Sequence, residues 1–168
     1  MFLDESGAKT NMTRLRGRAQ RGQRVYASTP HGHWYTTTMI SSIRLDGSTA
    51  CMAINAATDT EVFRAFVSQV LRPTLREGDI VIMDNLSSHK SGPTLEVIEA
   101  AGAQVLFLPA YSPDLNPIEK MWSKVKESLR AAEARTQQDL IEAISRALKC
   151  VTAQDAMNWF ASCGYSFI

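Results

Sequence analysis

Three carboxylates stand where apolar segments end or a helix begins. Asp84 closes the run Ile80-Val81-Ile82-Met83, Glu119 follows Asn116-Pro117-Ile118, and Asp4 comes directly after Met1-Phe2-Leu3. Thirty-four residues separate Asp84 from Glu119. Hard carboxylate oxygens brought together from separate elements suit Mg²⁺ or Mn²⁺. Two such ions could share an acid, one activating an attacking water and the other stabilising a leaving 3′ oxygen. The pattern therefore points to a divalent-metal site.

Each acid also has a structural competitor. Asn116 as N-cap, Pro117 at the first helical position and Glu119 at the third would make a capping box. Asp114 is an alternative third ligand, although Ser112-Pro113-Asp114 reads as a turn. Glu5 competes with its neighbour Asp4. Asp84 ends a strand expected to be buried on both faces, where an unpaired charge is costly unless it reaches solvent, a donor or a metal. Asn85, His89 and Lys90 share the segment DNLSSHK with Asp84 and could steady the acids or contact phosphate; His89 could equally be a local hydrogen-bonding residue. His31 and His33 read as polar residues at a strand edge. Lys120 and Lys124, four apart on the helix of Glu119, could line a phosphate path or form a solvated face.

A net charge of +1 conceals an uneven distribution. Between Ser6 and Leu45 there is no acid, while Lys9, Arg14, Arg16, Arg18, Arg21, Arg24 and Arg44 all fall there. Gly17 and Gly22 interrupt the arginines, which favours a flexible loop that can follow a phosphate backbone over a regular helix. The alternative is a solvated basic loop. Nucleic acid is the favoured partner.

The elements that must position these residues follow an α/β order. HWYTTTMISSIRL and STACMAINA read as antiparallel strands joined at Asp46-Gly47. Thr58-x-x-Glu61 resembles a capping box opening a helix with Val62, Phe63, Phe66, Val67, Val70 and Leu71 inside, interrupted at Pro73. DIVIM and QVLFL read as strands buried on both faces, with a short helix between them that starts at Pro93, carries Leu95 and Ile98 and ends near Gly102. LPAYSPDLNP has too many prolines for regular structure. Trp122, Val125 and Leu129 mark the inner stripe of the helix that follows. Thr136-x-x-Asp139 and Thr152-x-x-Asp155 open two more, with Leu140, Ile141, Ile144, Leu148, Met157 and Phe160 as expected core. If the first and fourth strands are parallel neighbours, Asp4 and Asp84 emerge side by side, with Glu119 approaching from the helix beside them. The expectation is an α/β, ribonuclease H-like fold with a mixed five-stranded sheet flanked by helices.

Composition allows one compact domain of 168 residues and 45% hydrophobic content. No long apolar stretch suggests a membrane span, and Asp4, Glu5 and Lys9 break up any N-terminal signal. The expected location is the cytoplasm. Cys51, Cys150 and Cys163 lack paired spacing and read as buried free thiols.

FLDESG, GRAQRG, VIMDNLSSHK and LPAYSPDLNPIEKMW together resemble the catalytic domain of DDE transposases of the mariner superfamily, in its bacterial insertion-sequence branch; the likeness runs from Phe2 to about Tyr165. The 34-residue gap is a hallmark of that group. The resemblance implies that Asp4, Asp84 and Glu119 are catalytic and hold two Mg²⁺ or Mn²⁺ ions. Asn85, His89 and Asn116 would be auxiliary, and Arg14, Arg16, Arg18, Arg21, Arg24, Lys120 and Lys124 would bind DNA. It implies cleavage at element ends to give a 3′-OH that attacks target DNA. The partners would be double-stranded end and target DNA, with a homodimer when full length. The resemblance also implies a bacterial protein at the nucleoid.

Full-length members carry N-terminal helix-turn-helix modules, to which nothing in residues 1–168 corresponds. The sequence is thus read as a single catalytic domain: a second-frame product, a fragment or a decayed copy. With three residues ahead of Asp4, the first strand should be short and the domain of reduced stability and weak autonomous activity. Two alternatives are a non-catalytic fragment that binds DNA or full-length transposase and interferes with it, and a nuclease acting on RNA–DNA hybrids or junctions.

Overall fold

Alternation along β1 (Phe2–Lys9) sends Phe2 to one face of a sheet and Leu3 to the other, and both side chains are fully enclosed. The computed structural model describes residues 1–166. Its sheet has the order β3-β2-β1-β4-β5. β1 pairs antiparallel with β2 (Thr36–Ile43), from Phe2 opposite Ile43 to Lys9 opposite Thr36, and β2 pairs antiparallel with β3 (Thr49–Ile54). β4 (Ile80–Met83) runs parallel to β1 and β5 (Gln104–Phe107) parallel to β4. This is the expected mixed five-stranded α/β architecture, with β1 and β4 adjacent.

Two apolar layers hold the sheet. On one face Phe2, Met39 and Ile43 pack with Trp122, Val125 and Leu129 of α3 (Pro117–Ala132), Leu140 and Ile144 of α4 (Gln137–Lys149), and Phe160 of α5 (Ala153–Ser162). Phe2 meets Phe160 edge-on at 5.2 Å between ring centroids, a favoured aromatic geometry. On the other face Leu3, Ile40, Val81 and Met83 pack with Phe63 and Phe66 of α1 (Thr60–Phe66), and with Ile98 of α2 (Gly92–Glu99). After α1 the chain widens into a π-helical turn at Val67–Leu71 and then tightens into a single 3₁₀ turn at Arg72–Thr74, where Pro73 stops the helix.

Turn and cap chemistry explain most boundaries. Gly47 adopts φ 82° in the β2–β3 turn, and a Cβ there would lie 2.7 Å from the Ala153 nitrogen, so no other residue fits. Thr136 and Thr152 cap α4 and α5 as expected, the second in a complete capping box. Among the described residues no helix is long and apolar enough to cross a membrane.

Several local expectations are corrected. β1 runs five residues past Asp4 and bonds β2 along its whole length; it is the parallel ladder to β4 that is short, resting on Phe2 opposite Ile82 and on Met1. β2 starts at Thr36, so His31 and His33 lie in the exposed segment before it, not at a strand edge. Asp59, not Thr58, caps α1, because its carboxylate accepts from the Val62 N–H. β4 and β5 are not buried on both faces: Ile80 and Leu106 are about half exposed at the uncovered end of the sheet. Ile141 and Met157 face outward, and the small residues Ala143, Ala147 and Ala156 let the last helices approach closely. The cysteines are free, but Cys150 is exposed and Cys51 half-buried.

Candidate active site

The three acids singled out above surround one cavity. Asp4 lies within β1, on the Phe2 face, and is 8% exposed. Asp84 is one residue past β4, and Glu119 stands in the first turn of α3. All three line a cavity of about 400 Å³ together with Asn85, Asn116 and the segment Leu108–Pro113. The parallel β1–β4 neighbourhood carries Asp4 and Asp84 to it. The start of α3, set after a proline-rich turn at Pro113–Leu115, carries Glu119.

Electrostatics register the crowding. Burial, then the charge of Glu119, with smaller contributions from Glu5 and Asp84, push the Asp4 carboxyl up to about 7. Burial alone would raise Asp84 too, but the close His89 imidazole and the hydrogen bond from the Leu86 N–H outweigh it, and the net shift is downward.

His89 is fully buried in the turn Ser87–Lys90 and lies between two carboxylates. Its Nε2 is 2.8 Å from Glu5 Oε1 and its Nδ1 is 2.8 Å from Asp84 Oδ1. The second contact lies off the line of the ring N–H, so it is an ion pair rather than a well-directed hydrogen bond. A carboxyl beside each ring nitrogen favours the imidazolium, which carries a proton on both. Burial lowers the imidazole, but the two acids overcome it and raise it to about 9. Phe63 packs on the ring at 4.2 Å between centroids.

The auxiliary expectations divide. Asn116 is buried and precedes α3, but its side chain makes no capping bond, so the capping-box reading of Glu119 fails. Its Oδ1 has no hydrogen-bond partner among the described residues. Asn85 is exposed at the rim. Asp114 is absent from the cavity lining, and Glu5 leaves β1 on the face opposite Asp4. Sequence reasoning missed the pairing of Glu5 with His89; strand alternation after Asp4 was the signal for the former. It also missed Tyr111, a fully exposed aromatic on the cavity lip whose backbone adopts φ 57°.

The basic residues are likewise sorted by the fold. Arg14, Arg16, Arg18, Arg21 and Arg24 are all exposed on the long segment between β1 and β2, beside exposed Leu15 and Tyr26. Arg135 anchors the base of that segment by donating to the Thr10 and Met12 carbonyls. Arg44 is not part of this surface, because its guanidinium is paired with Asp79. Lys120 is exposed, but Lys124 donates to Asp155 and to the Cys150 carbonyl and ties α3 to α5.

The donor set suits a hard divalent cation: three carboxylates line one space, and Asp4 is held there against its own desolvation. Among the described residues, however, no three His, Cys, Asp or Glu side chains stand close enough to form a ready cage. The expected tight convergence is met only in part, since Asp84 is drawn to His89 and Glu119 is exposed.

A family model described as DDE superfamily endonuclease matches residues 1–141. No curated protein sequence matches the chain significantly. Among solved structures, the Mos1 transposase paired-end complex with left transposon end aligns with TM-score 0.70 and 17% identity, over 99% of this chain and 56% of that one. The Mos1 mariner paired-end complex with Mn gives 0.61 and 16%, with coverage of 99% and 56%. The catalytic core domain of BIV integrase gives 0.52 and 16%, over 67% of this chain and 72% of that one. At such identities the likeness is one of fold, the ribonuclease H-like fold. The chain spans just over half the length of the Mos1 transposase chains it matches.

Proposed function

Because this chain belongs to the DDE superfamily endonuclease family, we propose that it is the catalytic domain of a transposase of the bacterial insertion-sequence branch, acting in the cytoplasm to cut DNA at element ends and join the 3′-OH to target DNA. One observation carries this reading: carboxylates from β1, the end of β4 and the start of α3 line a single cavity, and the charge of Glu119 reaches the buried Asp4.

Asp4, Asp84 and Glu119 would hold Mg²⁺ or Mn²⁺, in line with the Mn present in a Mos1 complex of the same fold. When bound, the ions supply a more acidic water and neutralise charge building on the phosphate. The remaining work falls to the chain. Asp4, whose burial raises its carboxyl to about 7, would be drawn toward its ionised form by a cation held in the cavity. Asn116, buried ahead of α3, forms part of the cavity wall beside Glu119. Arg14, Arg16, Arg18, Arg21 and Arg24 hold the duplex by its phosphates, which orients without reading sequence. Water attack breaks the bond from phosphorus to the 3′ oxygen, and the freed hydroxyl then attacks a target phosphodiester at the same acids. Pairing of two ends calls for two copies of the catalytic domain.

The test is nicking of duplex DNA carrying an element end in Mn²⁺, with DNA binding followed separately. Asp84→Asn and Asp4→Asn should lose nicking while retaining affinity. A variant that cuts as the parent does would remove the catalytic reading and favour a DNA-binding fragment.

A further inference from the structure

Glu5 and His89 are both buried or nearly so, lie 2.8 Å apart, and neither lines the cavity. Burying two ionisable groups in an apolar layer beside Phe63 is costly unless they are paired and used. The pairing continues upward. Asp84 Oδ1 receives both the His89 ring at 2.8 Å and the Leu86 N–H at 3.1 Å, and among the described residues no group engages Oδ2. The carboxylate is therefore held by one oxygen and presents the other.

We propose that Glu5, His89 and Asp84 form a positioning relay across the sheet, in which Glu5 fixes the His89 ring and His89 fixes the Asp84 carboxylate with Oδ2 open to the cavity. This rests on the reading of Asp84 as a cation ligand. His89 touches no reacting atom and acts through Asp84. Such partners behind a ligand typically change metal affinity by 10–100-fold when removed. The geometry explains why a histidine is needed in a turn of four residues. One ring reaches two acids on opposite sides, which no shorter side chain could do while filling the space under Phe63. It also assigns a role to Glu5, whose carboxylate β1 directs away from the cavity.

The relay separates from mere packing because the two ring nitrogens have different mimics. An asparagine amide falls near Nδ1 and a glutamine amide near Nε2. His89→Ala, His89→Asn, His89→Gln, Glu5→Gln and Asp84→Ala are compared by calorimetric titration with Mn²⁺, with thermal melting recorded for each. His89→Ala should weaken Mn²⁺ binding about tenfold or more, His89→Asn should recover most of that loss, and His89→Gln should recover little. Glu5→Gln, which keeps shape and removes the charge that holds the ring, should weaken binding about threefold. It supplies the test if the His89 variants fail to fold. Equal Mn²⁺ affinity in His89→Asn and His89→Gln, or parental affinity in Glu5→Gln, overturns the relay. If Asp84→Ala binds Mn²⁺ as the parent does, the ligand reading itself fails and the relay with it; if only Asp84→Ala loses binding, the relay alone is wrong.

Discussion

Asp4 and Glu5 are adjacent in β1 yet serve opposite faces of the sheet. Asp4 enters the cavity toward Glu119, and Glu5 enters the layer beneath and meets His89. Strand geometry alone enforces this, because successive side chains point to opposite sides. A pair of neighbouring acids that looks redundant in sequence is thereby divided between a site and its support.

The five exposed arginines between β1 and β2 should set the salt dependence of DNA binding. Every phosphate that is no longer neutralised flattens the slope of log affinity against log salt by about 0.9. Replacing Arg14, Arg16, Arg18, Arg21 and Arg24 by alanine should lower the slope by several such steps, and titrations at a series of salt concentrations measure it. An unchanged slope would make the segment a bystander.

Lys120 and Lys124 should behave differently despite their matching positions on α3. Lys124 is committed to Asp155 and the Cys150 carbonyl, so Lys124→Ala should reduce stability by less than about 1 kcal/mol, as a partly exposed pair does, with little effect on DNA affinity. Lys120→Ala should do the reverse. Paired urea melts and DNA titrations distinguish them.

Trp122 is enclosed at 1% exposure, and its indole Nε1 has no hydrogen-bond partner among the described residues. Trp122→Ala should cost roughly 3–5 kcal/mol through reduced burial and cavity formation. Trp122→Phe removes the unsatisfied donor together with part of the volume, so its cost should be much smaller, below about 1.5 kcal/mol. Urea unfolding of the two variants tests this. Equal losses would show that the ring nitrogen is satisfied in solution.

Asp79 should govern an acid limb of stability at the end of the sheet far from the cavity. Hydrogen bonding to Arg44, against the cost of burial, holds its carboxyl down to about 2 from an ordinary 3.8. A depressed folded value means that the stabilisation is present above 3.8 and is lost as pH falls through about 2. Asp79→Asn should therefore cost on the order of 1–2 kcal/mol at pH 6, and the gap to the parent should close near pH 2. Denaturation midpoints across that range are the measurement.

The sequence by itself determined the element order and the apolar faces of the helices, because those signals are local, whereas Asp4 and Glu119 stood out from neighbouring acids only through the family resemblance. Periodicity places Trp122, Val125 and Leu129 inside, Asp46-Gly47 makes the hairpin turn, and Thr136 and Thr152 cap their helices. What only the tertiary structure decided depends on neighbours that no local pattern names. The uncovered end of the sheet leaves Ile80 and Leu106 half exposed, although their runs read as buried on both faces. Asn116 occupies a capping position and does not cap; it is buried in the cavity wall, its Oδ1 without a hydrogen-bond partner among the described residues. Lys124 turns from phosphate to Asp155 because α5 packs within reach. His89 becomes a bridge only when β1 is laid beside β4, since Glu5 and Asp84 lie 84 and 5 positions away along the chain and converge on one ring through the fold.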